Sequence, residues 1–365
     1  MTDRWMQEAL ELARQGLGRT SPNPAVGAVL VRDGEVVGRG FHTWAGVKHA
    51  EQLAIEEAGD RARGATLYVT LEPCSHVGRT PPCADAVVAA GIAKVVCAME
   101  DPNPAVRGSG FAKLREAGIE VELAADFSEA AEEINQPFFH FMRTGRPLVM
   151  LKAALTLDGK IAAPEDNRGW ITSEKARAHV QTLRHQSDAI MTGIGTVLAD
   201  DPRLDVRGIT TQRQPLRVVL DSSLHIPMSA RILNGFSTGK SSEVQGKLLI
   251  YTAMPDAEKM KALENMGVPV CVLPDGSGKV DLSAMLGDLA QRGCNEILVE
   301  AGSTLNGALL RAGLVDELLL YLAPQLLGDF ARGMAQLGEL NALDQRINLK
   351  WQDVRQIGND MRITV

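Results

Sequence analysis

Hydrophobic positions along this chain switch repeatedly between a helical period and a strand period. Residues 4–15 place Trp5, Ala9, Leu10, Leu12 and Ala13 at helical spacing before Gly16 and Gly18 stop the pattern. After a rigid Ser21-Pro22-Asn23-Pro24 turn, Val26 to Val31 reads as a strand, Asp33-Gly34 as a hairpin turn and Val36 to Phe41 as its partner. His49 to Ala58 is helical, Thr66 to Leu71 is β-rich, Asp85 to Ala90 is helical up to Gly91, and Lys94 to Met99 is a strand. Ile119 to Leu123 adds a strand, and Ser128 to Phe141 a helix broken or restarted at Pro137. The spacing predicts an α/β domain with helices on both faces of a sheet.

The polar, Gly/Pro-bearing run Arg143-Thr144-Gly145-Arg146-Pro147 marks a linker, so two domains are expected, 1–145 and 146–365. The second alternates in the same way. Strands are expected at Leu148 to Leu151, Ala189 to Thr192, Arg217 to Asp221, Lys247 to Thr252, Val268 to Leu273, Glu296 to Glu300 and Glu317 to Ala323. Helices are expected at Glu174 to Gln186, Leu282 to Arg292 and Leu305 to Ala312, and a hairpin around Gly358-Asn359-Asp360 ends the chain.

Composition narrows the function classes. A net charge of −7 and 4% aromatic residues argue against a protein held on nucleic acid by a basic, base-stacking face. The N-terminus is charged from Asp3 and Arg4 onward and no run of 18 apolar residues occurs, so no membrane association and a cytoplasmic location are expected. Five cysteines, an odd number, do not form a disulfide framework. Cys97, Cys271 and Cys294 sit in apolar runs and read as small buried hydrophobes. Cys74 and Cys83 each follow a proline in polar loop sequence.

Those two thiols and His49 make a candidate zinc set. Zinc favours imidazole and thiolate in a tetrahedron, and catalytic sites use three protein ligands with the fourth position left to water. Glu51, two residues beyond His49, is placed to move protons beside water whose pKa the metal lowers toward roughly 7. A structural site with His42 or His76 as fourth ligand, and chance placement, are the competing readings.

His-x-Glu followed by Pro-Cys and a second Cys is the signature of zinc-dependent nucleobase deaminases, which usually space the cysteines two apart. Here eight residues, Ser75 to Pro82, separate them. The run Thr70-Leu71-Glu72-Pro73-Cys74-Ser75-His76-Val77-Gly78-Arg79-Thr80-Pro81-Pro82-Cys83 closely resembles the deaminase half of the bifunctional riboflavin-biosynthesis deaminase/reductase family. So do Pro22-Asn23-Pro24-Ala25-Val26-Gly27 and the stretch from Asp101 to Gly110. The resemblance implies a cytidine-deaminase-like three-layer domain acting on a diaminopyrimidinone that carries a ribosylamine 5-phosphate. It implies His49, Cys74 and Cys83 as zinc ligands, Glu51 as proton shuttle, and Asn23, His76 and Arg79 as substrate contacts.

In the second domain, Gly193-Ile194-Gly195 opens like a dinucleotide fingerprint, but Leu198 stands where the third glycine belongs. The run Ile297 to Gly307 reads as a strand, a Gly/Ser/Thr turn and a helix start, either a phosphate site or simply a tight turn. A Walker A loop is excluded, because Ala308 follows Gly307 where lysine is required. Leu151 to Lys160, Trp170-Ile171-Thr172-Ser173, Gly195 to Leu204 and the Glu300 turn resemble the reductase half of the same family. That implies a dihydrofolate-reductase-like fold using NADPH to deliver hydride to the ribosylamine C1. Ala154, Trp170, Thr196, Asp200 and the turn Gly302, Ser303, Thr304, Leu305, Asn306, Gly307 and Ala308 are then expected at the cofactor. Arg184, Leu204, Arg207 and Glu300 are expected at the substrate, with Lys152 beside the reacting sugar and Lys152 with Glu300 or Asp200 as proton source. The sequence departs from the family at Ala163 to Gly169, where Arg168 replaces the expected serine contact.

The rival readings are a deaminase of free or nucleic-acid bases with an unrelated second domain, and a zinc-stabilised binding module without chemistry. Apolar C-terminal strands make a homodimer the expected assembly.

Overall fold

A computed structural model describes residues 2–43, 47–76, 81–104, 106–163, 169–211, 213–234, 247–339 and 342–365. The chain forms two compact units, Met1–Gly145 and Arg146–Val365. Gly145 ends the first in the left-handed conformation that glycine adopts at helix C-termini.

Unit one contains helix α1 (Thr2–Arg14), strands β1 (Gly27–Arg32) and β2 (Glu35–Phe41), α2 (Ala50–Ala58), β3 (Thr66–Val69), α3 (Cys83–Ala89) and β4 (Lys94–Cys97). Helix α4 (Ser109–Glu116), β5 (Glu120–Leu123), α5 (Ser128–Ile134) and α6 (Gln136–Thr144) complete it. The sheet order is β2-β1-β3-β4-β5, with β1 antiparallel to both neighbours and β3, β4 and β5 parallel. Side chains of β1 from Gly27 to Val31 are all buried, because helices cover both faces. One layer joins Met6, Ala9, Leu10 and Ala13 of α1 to Val29 and Ile134; the other joins Ala50, Ala54 and Ala58 of α2 to Leu30, Leu67, Val95 and Phe111. The expected helix from 128 to 141 is two helices broken at Asn135, with Pro137 tolerated in the first turn of α6. Helix α4 was not expected from the sequence.

Unit two contains β6 (Leu148–Thr156), β7 (Lys160–Ala162), α7 (Glu174–Gln186), β8 (Ala189–Gly193), α8 (Ile194–Asp200), β9 (Leu216–Leu220), β10 (Leu248–Thr252), α9 (Ala257–Asn265) and β11 (Val270–Val272). It continues with α10 (Leu282–Gln291), β12 (Glu296–Val299), α11 (Ser303–Arg311), β13 (Glu317–Ala323), β14 (Arg332–Gly333), β15 (Asp353–Ile357) and β16 (Asp360–Thr364). Among the described residues nine strands form one sheet in the order β11-β10-β9-β8-β12-β6-β13-β16-β15, and β7 pairs with β14 separately. The seven strands from β11 to β13 are parallel, while β16 and β15 run antiparallel. Strand β12 arrives late in the chain yet lies between β8 and β6, so the winding reverses there. In open α/β sheets such a reversal opens a crevice at the carboxyl ends of the strands.

Helices α10 and α11 cover one face, packing Met285, Leu289 and Leu309 on Val149, Leu151 and Val299. Helix α7 packs Ala176 and Leu183 on Leu298, Leu319 and Tyr321 of the other face, where Val197 of α8 and Leu263 of α9 meet Ile190, Val219 and Ile250. Strand β6 runs five residues beyond its expected end. Its pairing with β13 continues to Thr156, so Lys152 is a strand residue on the half-buried face and not a terminator.

Candidate active sites

In unit one the end of β3, the start of α2 and the start of α3 converge. His49 is the residue before α2, Cys83 is the first residue of α3, and Cys74 follows Leu71-Glu72-Pro73 beyond the C-terminal end of β3. His49 Nδ1 lies 3.2 Å from Cys83 Sγ and 3.7 Å from Cys74 Sγ, and the three ligand atoms all fall within 4.8 Å of one another. The Cys83 amide donates to Cys74 Sγ at 3.3 Å, and the Ala84 amide to the Cys74 carbonyl at 3.1 Å, so α3 holds both thiols. Helix N-termini favour negative charge, which suits thiolates.

The three donors compete for protons. A hydrogen bond from Cys83, ahead of one from His49, pulls Cys74 down to about 4, and the same contact with burial pushes Cys83 up. The His49 ring is raised, first by its contact with Cys74. Soft donors crowded this closely with a shared proton fit a dication that takes the proton's place, and two thiolates with one imidazole are a zinc set. Glu51 is 3% exposed; burial, then the Cys74 charge, pushes it up to about 7.

His42, weighed from sequence as a fourth ligand, is not one. Its ring stands edge-on to that of His49 at 5.0 Å, with Nδ1 3.4 Å from the Lys48 carbonyl and Nε2 3.2 Å from Asn23 Nδ2. Burial, then the His49 ring, lowers it to about 4, so the ring is neutral. A neutral imidazole facing a carbonyl at Nδ1 carries its proton there, which leaves Nε2 to accept from the Asn23 amide. His42 thereby orients Asn23, a role that sequence spacing could not reveal. His76 is exposed and outside the ligand cluster. Arg79 and Arg168 lie outside the described residues.

In unit two, Lys152 of β6 and Arg184 of α7 meet Glu300 at the end of β12. Lys152 Nζ is 3.0 Å from Glu300 Oε2; Arg184 Nε and Nη2 lie 2.6 and 3.2 Å from Oε1 and Oε2. Arg184 Nη1 also donates to the Asp205 carbonyl at 3.0 Å, and Thr192 Oγ1 to the Glu300 carbonyl at 2.7 Å. Burial alone would raise Glu300, but the Lys152 and Arg184 charges hold its carboxyl far below the usual range. The two cations therefore favour the ionised form of Glu300, and the carboxylate in turn holds the Lys152 and Arg184 side chains in place.

Other expected contacts divide. Thr196 on α8 faces the Gly302 turn, with its Oγ1 3.7 Å from where a Gly302 Cβ would stand, and Gly302 begins α11 with no side-chain cap. Ser303 is buried, Thr304 is exposed, and Leu305 and Ala308 are half-buried on the same first turns. Ala154 lies two residues beyond Lys152 on the same face of β6, Asp200 is exposed at the end of α8, and Trp170 is 75% exposed under the Arg177 guanidinium. Arg207 is exposed and pairs with Asp205 at 3.3 Å. Asn306 and Gly307 also meet the segment 334–336. The buried Asn306 amide donates to the Ala301 and Met334 carbonyls, and a Cβ on Gly307 would stand 2.1 Å from the Gln336 carbonyl oxygen. These two dock the 334–336 segment, and the Leu204 side chain lies in the core, leaving only its backbone for a ligand.

A Cys2His centre with a buried carboxylate in one unit, and the Lys152–Glu300–Arg184 ion pairs on a reversed parallel sheet in the other, define a two-headed enzyme joining a zinc deaminase to a reductase. Residues 1–99 match the cytidine and deoxycytidylate deaminase zinc-binding region, and residues 147–363 match the RibD C-terminal domain. The chain is 45% identical to riboflavin biosynthesis protein RibD of Escherichia coli K12, covering 98% of this chain and 97% of that one. It is 39% identical to the protein of the same name from Aquifex aeolicus, over 98% and 96% of the two chains. The structure of Acinetobacter baumannii RibD superposes with a TM-score of 0.89 at 41% identity, covering 100% of this chain and 98% of that one. A Thermotoga maritima diaminohydroxyphosphoribosylaminopyrimidine deaminase/5-amino-6-(5-phosphoribosylamino)uracil reductase does so at 0.85 and 34% identity, over 100% and 97%. The chain belongs to the RibD family.

Proposed function

We infer that this chain catalyses two successive steps of riboflavin biosynthesis. The first is hydrolytic deamination of 2,5-diamino-6-(5-phosphoribosylamino)pyrimidin-4(3H)-one with release of ammonia. The second is NADPH-dependent reduction of the ribosyl group of 5-amino-6-(5-phosphoribosylamino)uracil to ribityl. The observation that carries the reading is the convergence of His49, Cys74 and Cys83 beside the buried Glu51 in a chain that also pairs Lys152 with Glu300. We assign the first step to residues 1–145 and the second to 146–365.

His49 Nδ1 and the Cys74 and Cys83 sulfurs would hold zinc, which when bound supplies the Lewis acidity that makes water nucleophilic at neutral pH. Glu51, poised near 7, takes a proton from water and returns it to the departing amine. Asn23, turned by His42, presents its carbonyl oxygen to a donor on the pyrimidine. His76 and Arg79 serve the phosphate, and Arg168 takes the place of the family serine. In the second unit the nicotinamide supplies hydride, and the chain's task is placement. Ala154, Trp170, Thr196, Asp200 and the turn from Gly302 to Ala308 would line the cofactor; Arg184, Leu204, Arg207 and Glu300 would line the substrate. Lys152 protonates the ribose ring oxygen as the ring opens, and Glu300 holds the lysine in place.

Among the described residues no helix is long and apolar enough to cross a membrane. The substrates are small molecules, with no nucleic acid involved. We propose that the chain works in the cytoplasm as a homodimer, supported by Leu349, Trp351 and Val354 exposed on and beside the edge strand β15. The test is purified protein with the diaminopyrimidinone: ammonia release that a zinc chelator abolishes, followed by NADPH oxidation that the chelator does not touch when deaminated substrate is supplied. Ammonia release that survives complete metal removal, or no NADPH oxidation, would overturn the assignment.

A further inference from the structure

Glu72 is 3% exposed, and among the described contacts its carboxylate meets main chain, not a cation. Oε2 accepts the amides of Asp101 at 3.2 Å and Gly108 at 2.9 Å; Oε1 accepts those of Gly110 at 2.9 Å and Phe111 at 3.2 Å. Buried polar groups are costly unless hydrogen-bonded, and four N–H donors answer that cost. Two of the donors, Gly110 and Phe111, belong to the first turn of α4, whose own N-cap, Gly108, has no side chain to offer. The cap comes instead from a residue 38 positions earlier than Gly110.

The residues flanking Glu72 are fastened to the same segment. The Glu72 amide donates to the Met99 carbonyl at 3.1 Å, and Ser75 Oγ meets Ser109 Oγ at 2.6 Å. Gly110 lies so close to Pro73 that an added Cβ would stand 2.0 Å from the Pro73 carbonyl oxygen. Cys74 thus sits in a stretch where residues 72, 73 and 75 are each fixed against 99–111, while α3 fixes its own sulfur and carbonyl from the other side.

We propose that Glu72 is a positioning residue of the metal centre: by binding the amides of 101–111 it sets where the Cys74 thiolate stands relative to His49 and Cys83. The proposal rests on the reading of those three residues as zinc ligands. Glutamine cannot substitute, because its side-chain amide has one acceptor oxygen and would turn an NH2 toward two N–H donors. A carboxylate that merely caps α4 would lower stability when removed and leave the metal untouched.

The full chain is made as wild type, Glu72→Gln, Gly110→Ala and Cys74→Ser. Zinc affinity of the apo form is read by competition with a chromophoric chelator, and the thiolate-to-metal charge-transfer band by cobalt substitution. Glu72→Gln is expected to bind zinc about tenfold more weakly, the lower end of the usual effect of residues that orient metal ligands. Its cobalt band should shift or weaken, while NADPH oxidation by the other unit stays at the wild-type rate. Gly110→Ala keeps the Glu72 side chain but crowds both the Pro73 carbonyl oxygen at 2.0 Å and Glu72 Oε1 at 3.1 Å, so it should move affinity and band in the same direction, and it decides the matter if Glu72→Gln fails to fold. Wild-type affinity and band in the folded variants, whatever their stability, would overturn the proposal. Retention of one tight zinc by Cys74→Ser would instead overturn the ligand assignment itself.

Discussion

Replacing Glu300 by glutamine tests the reductase site most directly, because shape is kept while the one negative charge between two cations is removed. Lys152, Arg184 and Glu300 expose only 13%, 10% and 11% of their side chains, so solvent does little to screen them. Removing one partner from such a buried pair costs about 3–5 kcal/mol, chiefly because the remaining charge is left uncompensated. For a unit of about 220 residues unfolding with roughly 2.1 cal/mol/K per residue, the melting temperature should fall about 7–11 °C. Adding Lys152→Met to Glu300→Gln removes one stranded cation and should recover part of the loss. The acid side supplies a second reading. Glu300 is depressed in the folded state, so its contribution is complete above the unfolded value near 4.3 and disappears as pH falls below it toward the folded value. Glu300→Gln should therefore flatten the stability profile below about pH 4.3. Scanning calorimetry follows the unit, with zinc-dependent ammonia release confirming that the other unit is intact. A loss under about 1 kcal/mol, or a double variant no better than the single, would refute the electrostatic account.

Glu51→Gln should keep stoichiometric zinc and lose ammonia release by roughly 10²–10⁴-fold, the usual share of a general acid–base; near-wild-type release would remove Glu51 from the chemistry. Glu296 is raised to about 8, mainly by burial and then by Asp188 and Glu317. The folded chain therefore holds a proton that the unfolded chain releases above about 4.3, and stability declines as pH climbs from there to about 8. Glu296→Gln should remove that decline and gain on the order of a few kcal/mol at pH 8 in urea unfolding; an unchanged pH profile would count against it. Gly307→Ala puts a methyl group 2.1 Å from the Gln336 carbonyl, so a melting temperature lowered by several degrees is expected, and wild-type stability would show that the 334–336 segment yields freely.

Most elements whose signals lie within their own sequence were legible, α9 excepted, which is not predicted although Asp256 caps it by accepting from the Lys259 amide. Helix α7 begins after Ser173, whose hydroxyl accepts from Ala176, and its expected range 174–186 matches the structure. Strand β13 and the terminal hairpin are equally self-contained. Helix α4 was missed because its cap is contributed by Glu72 from another part of the chain. Strand β6 was read too short because Lys152 interrupts its apolar run, and only the pairing with β13 shows that it continues. Residue types and spacing pointed to His49, Cys74 and Cys83, which the fold brings within 4.8 Å of one another, and to the buried Glu51. The orientation of Asn23 by His42 and the anchoring of Cys74 by Glu72 depend on contacts 19 and 38 residues apart in sequence. The family resemblance places Asn306 and Gly307 in the cofactor turn, and only the fold shows that Asn306 also bonds the Met334 carbonyl and Gly307 lies against Gln336.

The place of β12 bears on how the chain is made. Unit one has its last sheet strand by Leu123, so its sheet can close while most of the chain is still untranslated. Unit two cannot: the strand at the middle of its sheet spans Glu296–Val299, and β6 and β8, synthesised more than 100 residues earlier, must wait with edges exposed. Nascent chains halted near residue 290 should accordingly contain a protease-resistant first unit followed by an open, protease-sensitive and chaperone-dependent second one.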